Sequence, residues 1–248
     1  MINRILYFLS LIIIISCSDS STDDSHAINE SLINQTSNNS SDSNNNNDQS
    51  ISNQNSKNDS QSSYDRSKML EFTVEKIIIP AFDDLEAKLN ELKGSYSKFN
   101  SDMTNNNLDD LRNKWLLSYK AWQHVEMYDI GKAMEDYYAF KGNVYPVDTV
   151  RVKINIEKGE YDLNNPNNYD AQGFPTIDYL LYGLDKEMPK VIDHFKNDQK
   201  ISNYLGKIID ELISTTASVN SDWKSTKVEF VKSIENSATS NLNMLIND

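Results

Sequence analysis

Apolar residues recur at helical spacing along most of the chain beyond residue 64. Between residues 67 and 92 they follow one another at intervals of three and four, which is typical of one face of an amphipathic helix. That face consists of Leu70, Val74, Ile77, Ile78, Phe82, Leu85, Leu89 and Leu92. Pro80 interrupts the stretch and predicts a kink or a fresh helix start, because proline cannot donate a backbone hydrogen bond. Gly94 predicts the end of this first helix.

A second helix is predicted to begin near Leu108, after the polar run 104–107, which offers several capping side chains. Its apolar stripe reaches Ile130 through Leu111, Trp115, Tyr119, Trp122 and Glu126. We expect a short third helix after Gly173, a fourth over about 189–219, and helical or mixed structure from Trp223 onward. Strand-like alternation occurs only at 150–156. The pattern therefore predicts an all-α helical bundle.

The connection after the second helix, residues 140–172, is long for a helical bundle. Loops of this length are usually functional or disordered. This one carries many apolar and aromatic side chains, so we expect a long irregular insertion that packs across the bundle. The residues expected to make these contacts are Tyr138, Phe140, Val144, Tyr145, Val147, Val152, Ile154 and Tyr161.

The first 63 residues differ in composition from the rest. An apolar run, Ile5 to Ile15, follows a short cationic start and ends at Ser16-Cys17. It is too short to span a bilayer but suits the core of a signal peptide. A small residue followed by cysteine resembles the lipobox of bacterial lipoproteins. We therefore predict a signal peptide over 1–16 and lipidation of Cys17 with palmitate-type chains; the alternative is an ordinary cleaved signal with an incidental cysteine.

Ser, Asn and Asp dominate residues 17–63, a composition that cannot bury enough apolar area to fold. We predict a lipidated, disordered tether there and one folded domain over 64–248. Ser18 follows the cysteine and resembles a sorting signal for the outer membrane. The acidic residues Asp19, Asp23 and Asp24 resemble tags that send lipoproteins to the cell surface. The expected location is the outer membrane, on its periplasmic side or at the cell surface, with the membrane as partner through the lipid anchor.

The net charge of -13 and the pI near 4.7 argue against nucleic acid as a partner, since phosphates demand a basic surface. The sequence contains no paired metal-ligand motif, no phosphate-binding loop and no nucleophile–base set that spacing justifies. His124 lies two residues from Glu126, so the two side chains point to nearly opposite sides of a regular helix. We expect His124 and His194 to be ordinary surface or half-buried residues.

Two carboxylates fall on apolar stripes. Glu126 follows Trp122 by four residues, and a carboxylate placed there must be paired, metal-bound or protonated if it is buried. Periodicity alone leaves open that Glu126 lies at the edge of the stripe and reaches solvent. Asp178 lies one turn after Phe174 in the predicted third helix. Its alternative role is that of an acid near a helix start, stabilised by the helix dipole.

Taken together, these segments resemble the imelysin-like family. The second helix carries Trp115, Trp122, Glu126 and Gly131; the segment Tyr145-Pro146-Val147-Asp148 resembles the family's aromatic-Pro-x-Asp turn; and residues 173–183 resemble its Gly-x-His-x-x-Glu motif running into an apolar helix. The resemblance implies the first bundle of a duplicated all-α architecture, in envelope proteins linked to iron uptake. It also implies a divalent or ferric ion bound near the motif, and iron-uptake components as partners.

Two departures from the family change this expectation. Pro175 stands where the family has His, and Asp178 where it has Glu, so any metal here should prefer oxygen ligands. The family's second bundle is expected to be largely missing. The resulting hypothesis is a non-catalytic lipoprotein that binds iron or an iron-bearing ligand, with Glu126 and Asp178 as metal ligands facing each other. Trp122, Asp148, Gly173 and Pro175 complete the predicted site. The alternatives are a metallopeptidase and a structural or protein-interaction domain without metal.

Overall fold

A computed structural model describes residues 65–235 and 237–247. The predicted signal peptide, Cys17 and the tether lie outside these residues. Within them the chain is helical and contains no strand, which confirms the all-α prediction. None of the described helices is both long and apolar enough to cross a membrane.

The helices, in chain order, are α1 (Arg66–Thr73), a π-helical segment (Val74–Ile78), α2 (Ile79–Ser101), α3 (Asn105–Trp122), α4 (Lys132–Glu135), α5 (Tyr138–Gly142), α6 (Thr149–Lys158), a 3₁₀ helix (Pro166–Ala171), α7 (Gly173–Asp178), a second π-helical segment (Tyr179–Gly183), α8 (Met188–Asn197), α9 (Gln199–Phe230) and α10 (Asn241–Asn247). The last element follows a turn after α9, so the mixed helical structure predicted after Trp223 is confirmed.

The core is a bundle in which α2 packs against both α3 and α9. Every member of the first predicted stripe is fully buried except Ile77, which is 45% exposed. Side-chain hydrogen bonds also join the helices; for example, Ser118 Oγ donates to the Lys88 carbonyl at 3.0 Å, and Tyr96 OH donates to the Ser202 carbonyl at 2.9 Å. The apolar face therefore determines the packing, and the polar contacts adjust how the helices lie against each other.

Pro80 has the predicted effect on the first helix. The π-helical segment precedes α2, and Pro80 lies in the first turn of α2. The Ile79 N–H bonds to the Val74 carbonyl, five residues back instead of four. The wider turn accommodates a proline ring that would otherwise meet the carbonyl of the preceding turn.

Gly94 does not end the helix, as the sequence suggested; α2 continues to Ser101. The apolar stripe continues beyond the glycine through Tyr96 and Phe99, which are buried against the bundle. A mid-helix glycine costs only about 1 kcal/mol relative to alanine. Burying two aromatic side chains outweighs that cost, so the helix persists.

Two other predicted helix boundaries are wrong, and the stretch with strand-like alternation is helical. The second helix begins at Asn105, capped by Thr104, but ends at Trp122 and does not continue to Ile130. Residues 150–156 belong to α6 and are not a strand, because Val152, Asn155 and Ile156 bury one helical face. The predicted helix over 189–219 is two helices that meet at Asp198, whose carboxylate caps the start of α9.

The long connection, residues 140–172, is more ordered than predicted and consists largely of short helices. It does pack on the bundle, since α5 and α6 both contact α9. Tyr138 and Val152 are buried as expected. Phe140 and Tyr145 are 55% and 82% exposed, so the prediction that they pack across the bundle is wrong.

Candidate functional site

Glu126 lies in the turn that follows α3, and its backbone N–H still bonds to the Trp122 carbonyl at 3.0 Å. Its half-buried carboxylate is paired. Glu126 Oε2 accepts a hydrogen bond from the Trp122 indole Nε1 at 2.8 Å and another from Asn143 Nδ2 at 3.3 Å. The indole bond is short and charge-assisted, so it fixes the carboxylate against the fully buried Trp122 ring.

Two residues of this network were not predicted as site residues. Asn143 ends α5, and its Oδ1 accepts a hydrogen bond from Tyr119 OH at 3.3 Å. The four side chains of Tyr119, Asn143, Glu126 and Trp122 therefore form one chain of hydrogen bonds. Asn143 lies in the long connection, whose length was the only sequence signal that could have drawn attention to it.

Gly173 brings three segments together. Its φ is +76°, a conformation that strains any residue with a Cβ. A Cβ there would also collide with the backbone carbonyls of Lys141 and Gly142. Gly142 in turn lies directly under the Trp122 ring, where a Cβ would collide with the indole. The start of α7, the end of α5 and the end of α3 therefore meet at distances that only glycine allows.

Aromatic contacts complete this junction. Phe174 lies between Tyr119 and Trp122, with ring centroids 5.3 and 5.6 Å away. Trp115 Nε1 donates to the Phe174 carbonyl at 3.1 Å, and its ring stacks on Tyr119 at 5.6 Å. The helix α7 is thus held against α3 by ring contacts of Phe174 and by a hydrogen bond to its backbone carbonyl.

Pro175 is buried in the first turn of α7, as predicted. Backbone N–H groups in the first helical turn have no partner within the helix, so the missing proline N–H leaves no bond unmade. Its ring offers no donor atom for a metal. Asp148 has a capping role: its Oδ1 accepts from the N–H groups of Val150 and Arg151, both at 2.9 Å, at the start of α6.

Asp178 is the last residue of α7 and differs from Glu126 in its surroundings. It is half-buried, and none of the hydrogen bonds and ion pairs of the described residues involves its carboxylate. Burial raises the pKa of Asp178 above its ordinary value of 3.8. Its charge acts on Tyr182, whose pKa is raised by burial and secondarily by Asp178, against the lowering effect of Arg112.

Arg112 supports the helix that follows Asp178. Its Nε and Nη2 both donate to the Leu181 carbonyl, at 3.1 and 2.6 Å. The guanidinium also lies over the Tyr182 ring, 4.3 Å from the centroid. This carbonyl belongs to the second π-helical segment, where the helix's own hydrogen bonds are rearranged. Arg112 therefore holds the far end of the motif against α3 without neutralising Asp178 directly.

Among residues 65–235 and 237–247, no hydrogen bond joins Glu126 to Asp178, and no Lys or Arg side chain forms an ion pair with both. Nowhere in that part of the chain do three His, Cys, Asp or Glu side chains converge as a metal-binding group. His124 and His194 are both exposed. The residues present therefore do not fit a free ion held entirely by protein ligands, which normally takes at least three or four donors.

The sequence profile of the imelysin family, filed among peptidases, matches residues 78–248. An iron-regulated protein A precursor from Parabacteroides distasonis shares the fold at 18% identity and a TM-score of 0.54, over 74% of this chain and 50% of that one. An imelysin-like protein from Psychrobacter arcticum does so at 20% identity and a TM-score of 0.57, over 73% and 57%. The chain thus spans 50% to 57% of these two relatives. Comparison with the curated proteins gives no match.

Proposed function

Because the chain belongs to the imelysin family, we propose that it is an envelope protein of iron acquisition that binds iron or an iron-bearing ligand and does not cleave peptides. The iron-related role is supported by the similarity to an iron-regulated protein A precursor. The single observation that carries the proposed site is Asp178: a half-buried, unneutralised carboxylate at the end of the motif helix, beside Tyr182 and Arg112.

The non-catalytic part of the proposal rests on Pro175. The family resemblance places a histidine here, and a proline ring supplies neither a metal ligand nor a proton-transfer group. Pro175 is also buried within α7. A peptidase mechanism therefore lacks the residue that the family motif would contribute.

The form in which iron binds follows from the ligand count. Glu126 Oε2 already accepts two hydrogen bonds, whereas the half-buried carboxylate of Asp178 accepts none from the described residues. An iron atom that arrives with chelating oxygens needs only one or two further oxygen ligands from the protein. We therefore expect a ferric chelate to bind better than a free ferrous ion, with Asp178 as the protein ligand.

The test is a titration of the full chain with ferric citrate, followed by quenching of tryptophan fluorescence, with citrate alone and anaerobic ferrous sulfate as comparisons. Ferric citrate should bind, and Asp178→Asn should weaken binding about tenfold or more. Asp193→Asn, an exposed carboxylate on α8, is the matched control and should leave binding unchanged. Absence of binding, or equal binding by Asp178→Asn, contradicts the proposal.

A parallel assay with unstructured casein addresses the enzymatic alternative. The purified chain should release no peptides with or without added divalent metal. Metal-dependent release of peptides by the wild type, but not by Asp178→Asn, would establish peptidase activity instead.

For the location, we propose a lipid anchor at Cys17 and a tether over 17–63. The support is the apolar run Ile5 to Ile15 that ends at Ser16-Cys17, followed by a polar stretch. Two or more acyl chains give stable membrane attachment. Cys17→Ser should move the protein from the membrane fraction to the soluble fraction; a variant that still sediments with membranes at high salt places the anchor elsewhere.

A further inference from the structure

Three aromatic rings form a surface outside the candidate site. Tyr137, which precedes α5, and Phe140, within it, are 56% and 55% exposed. Tyr169, from the 3₁₀ helix, lies against both, with ring centroids 6.0 Å from Tyr137 and 6.4 Å from Phe140. These three residues are called the aromatic surface. None of its members takes part in the hydrogen-bond chain around Glu126.

The core is within reach of this short helix, so the absence of a core does not explain why these rings are exposed. Tyr138 lies between them in sequence and is 2% exposed, packed on Phe82 and Trp122. Burying an aromatic side chain stabilises a protein by about 1.5 to 3 kcal/mol. Contiguous exposed apolar groups of this kind mark binding sites more often than isolated ones do.

The backbone at Tyr137 supports this interpretation. Its φ is +55°, in the left-handed region, which bulky residues rarely adopt. Within the described part of the chain no other non-glycine residue has a positive φ. This conformation starts α5 directly after α4 and leaves the Tyr137 ring in solvent beside Tyr169. The strained residue thus lies where the aromatic surface is assembled.

Charges near the aromatic surface favour a cation. Glu135 and Asp136 immediately precede Tyr137 and share a single cation, Lys132, at 4.0 and 2.8 Å, so this group keeps one net negative charge. Asp162 is exposed, and its charge adds to the raised pKa of Tyr169, after the larger effects of burial and of Tyr137. Lys141, the cation of α5, is only 8% exposed and donates to Asn164 at 2.7 Å.

We propose that the aromatic surface binds an arginine side chain of a partner protein. A guanidinium is planar and weakly hydrated, so it stacks on exposed rings while its edges remain free for nearby carboxylates. The negative faces of the three rings and the carboxylate of Asp162 provide the electrostatic complement. The net charge of -13 also attracts a basic partner from a distance.

The experiment uses the full chain and two blocked peptides, tetra-arginine and its neutral isostere tetra-citrulline, with binding measured by calorimetry. Tetra-arginine should bind and tetra-citrulline should not. Phe140→Leu keeps apolar area but removes the ring, and it should weaken tetra-arginine binding about three- to fivefold. Phe72→Leu is the matched control, because Phe72 is 60% exposed on α1, and it should bind like the wild type.

Other occupants give different results. Equal affinity of the wild type and Phe140→Leu means that arginine is held by net charge alone, which overturns the proposal. Equal binding of the two peptides would indicate a neutral partner and also overturns it. Concentration-dependent dimerisation that Phe140→Leu abolishes would assign the aromatic surface to a second copy of this chain instead.

Discussion

The bundle of α2, α3 and α9 and the segment 138–183 are stabilised by different kinds of contact. The bundle buries aliphatic side chains at regular spacing, including Leu85, Leu89 and Leu92. The segment 138–183 also buries apolar side chains, but two of its glycines lie against backbone and indole, and two of its buried amides bond to each other. Asn155 Nδ2, for example, donates to Asn168 Oδ1 and to Tyr204 OH, at 3.0 and 3.1 Å.

This difference indicates which region tolerates substitutions and which region requires particular residues. Apolar contacts are non-directional, so a bundle accepts swaps that conserve volume. Buried amides need partners at fixed distances and angles, and a missing partner leaves an unsatisfied polar group. The segment 138–183 therefore determines the site's geometry.

Gly173→Ala should cause the largest loss of stability. Alanine in the left-handed region costs about 1 to 2 kcal/mol. The collision of its Cβ with the carbonyls of Lys141 and Gly142 adds a further cost of about 1 to 3 kcal/mol. Urea unfolding should therefore show a loss of about 2 to 5 kcal/mol. A loss below about 1 kcal/mol would mean that α5 and α7 are not in contact.

Trp122→Phe should have the next largest effect. It keeps a ring above Gly142 but removes the indole N–H that bonds to Glu126. A hydrogen bond to a charged group contributes about 1.5 to 3 kcal/mol. Trp223→Phe is the matched control, since Trp223 is also buried and packs on Phe230.

Trp122→Phe should cost about 1 to 2 kcal/mol more than Trp223→Phe in urea unfolding. Glu126→Gln should then cost less in the Trp122→Phe background than alone, because the two residues share one bond. Additive losses would show that the indole and the carboxylate do not interact.

Gly94→Ala, in the bundle, should raise the stability of the protein, whereas the preceding variants should lower it. Gly94 lies inside α2, and a Cβ there would meet no atom within 4 Å. Alanine should therefore stabilise the protein by about 0.5 to 1 kcal/mol, from helix propensity alone. The change in thermal unfolding should be an increase in Tm. A decrease would contradict the continuous α2, in which this position is helical and open.

Asp178→Asn should have the smallest effect on stability, and one that depends on pH. Because burial raises the pKa of Asp178 in the folded chain, the folded state binds a proton more readily than the unfolded state. The stability contributed by Asp178 is therefore full below pH 3.8 and falls as pH rises through the folded pKa. Asp178→Asn should raise Tm slightly at pH 7, with no gain near pH 3; a lower Tm at pH 7 contradicts the buried charge.

The parts of the fold that the sequence predicted are those with long apolar stripes. The stripe from Leu70 to Leu92 predicted the helical stretch of α1 and α2, and Pro80 predicted its interruption, although not the π-helical form that the interruption takes. The helix ends were harder, because they depend on tertiary burial: Phe99 extends α2 past Gly94. Asp198 splits the predicted fourth helix by capping a new one, a choice that periodicity does not encode.

The site was predictable only in part. The four-residue spacing placed Trp122 and Glu126 on one stripe but did not predict their hydrogen bond, and Glu126 lies beyond the helix end. Asn143 was not predicted, because its partners Tyr119 and Glu126 are distant in sequence and no local pattern links them. The need for glycine at position 173 depends on the backbone of residues 141–142, which only the folded chain brings near.

Asp178 is the proposed oxygen ligand that the protein contributes to chelated iron. The most direct measurement is anomalous diffraction at the iron absorption edge from crystals of the full chain grown with ferric citrate. The proposal predicts an iron peak within about 2.0 to 2.3 Å of an Asp178 carboxylate oxygen, with citrate filling most other positions. An iron peak that lies away from Asp178, or one that persists unchanged in Asp178→Asn crystals, would contradict it.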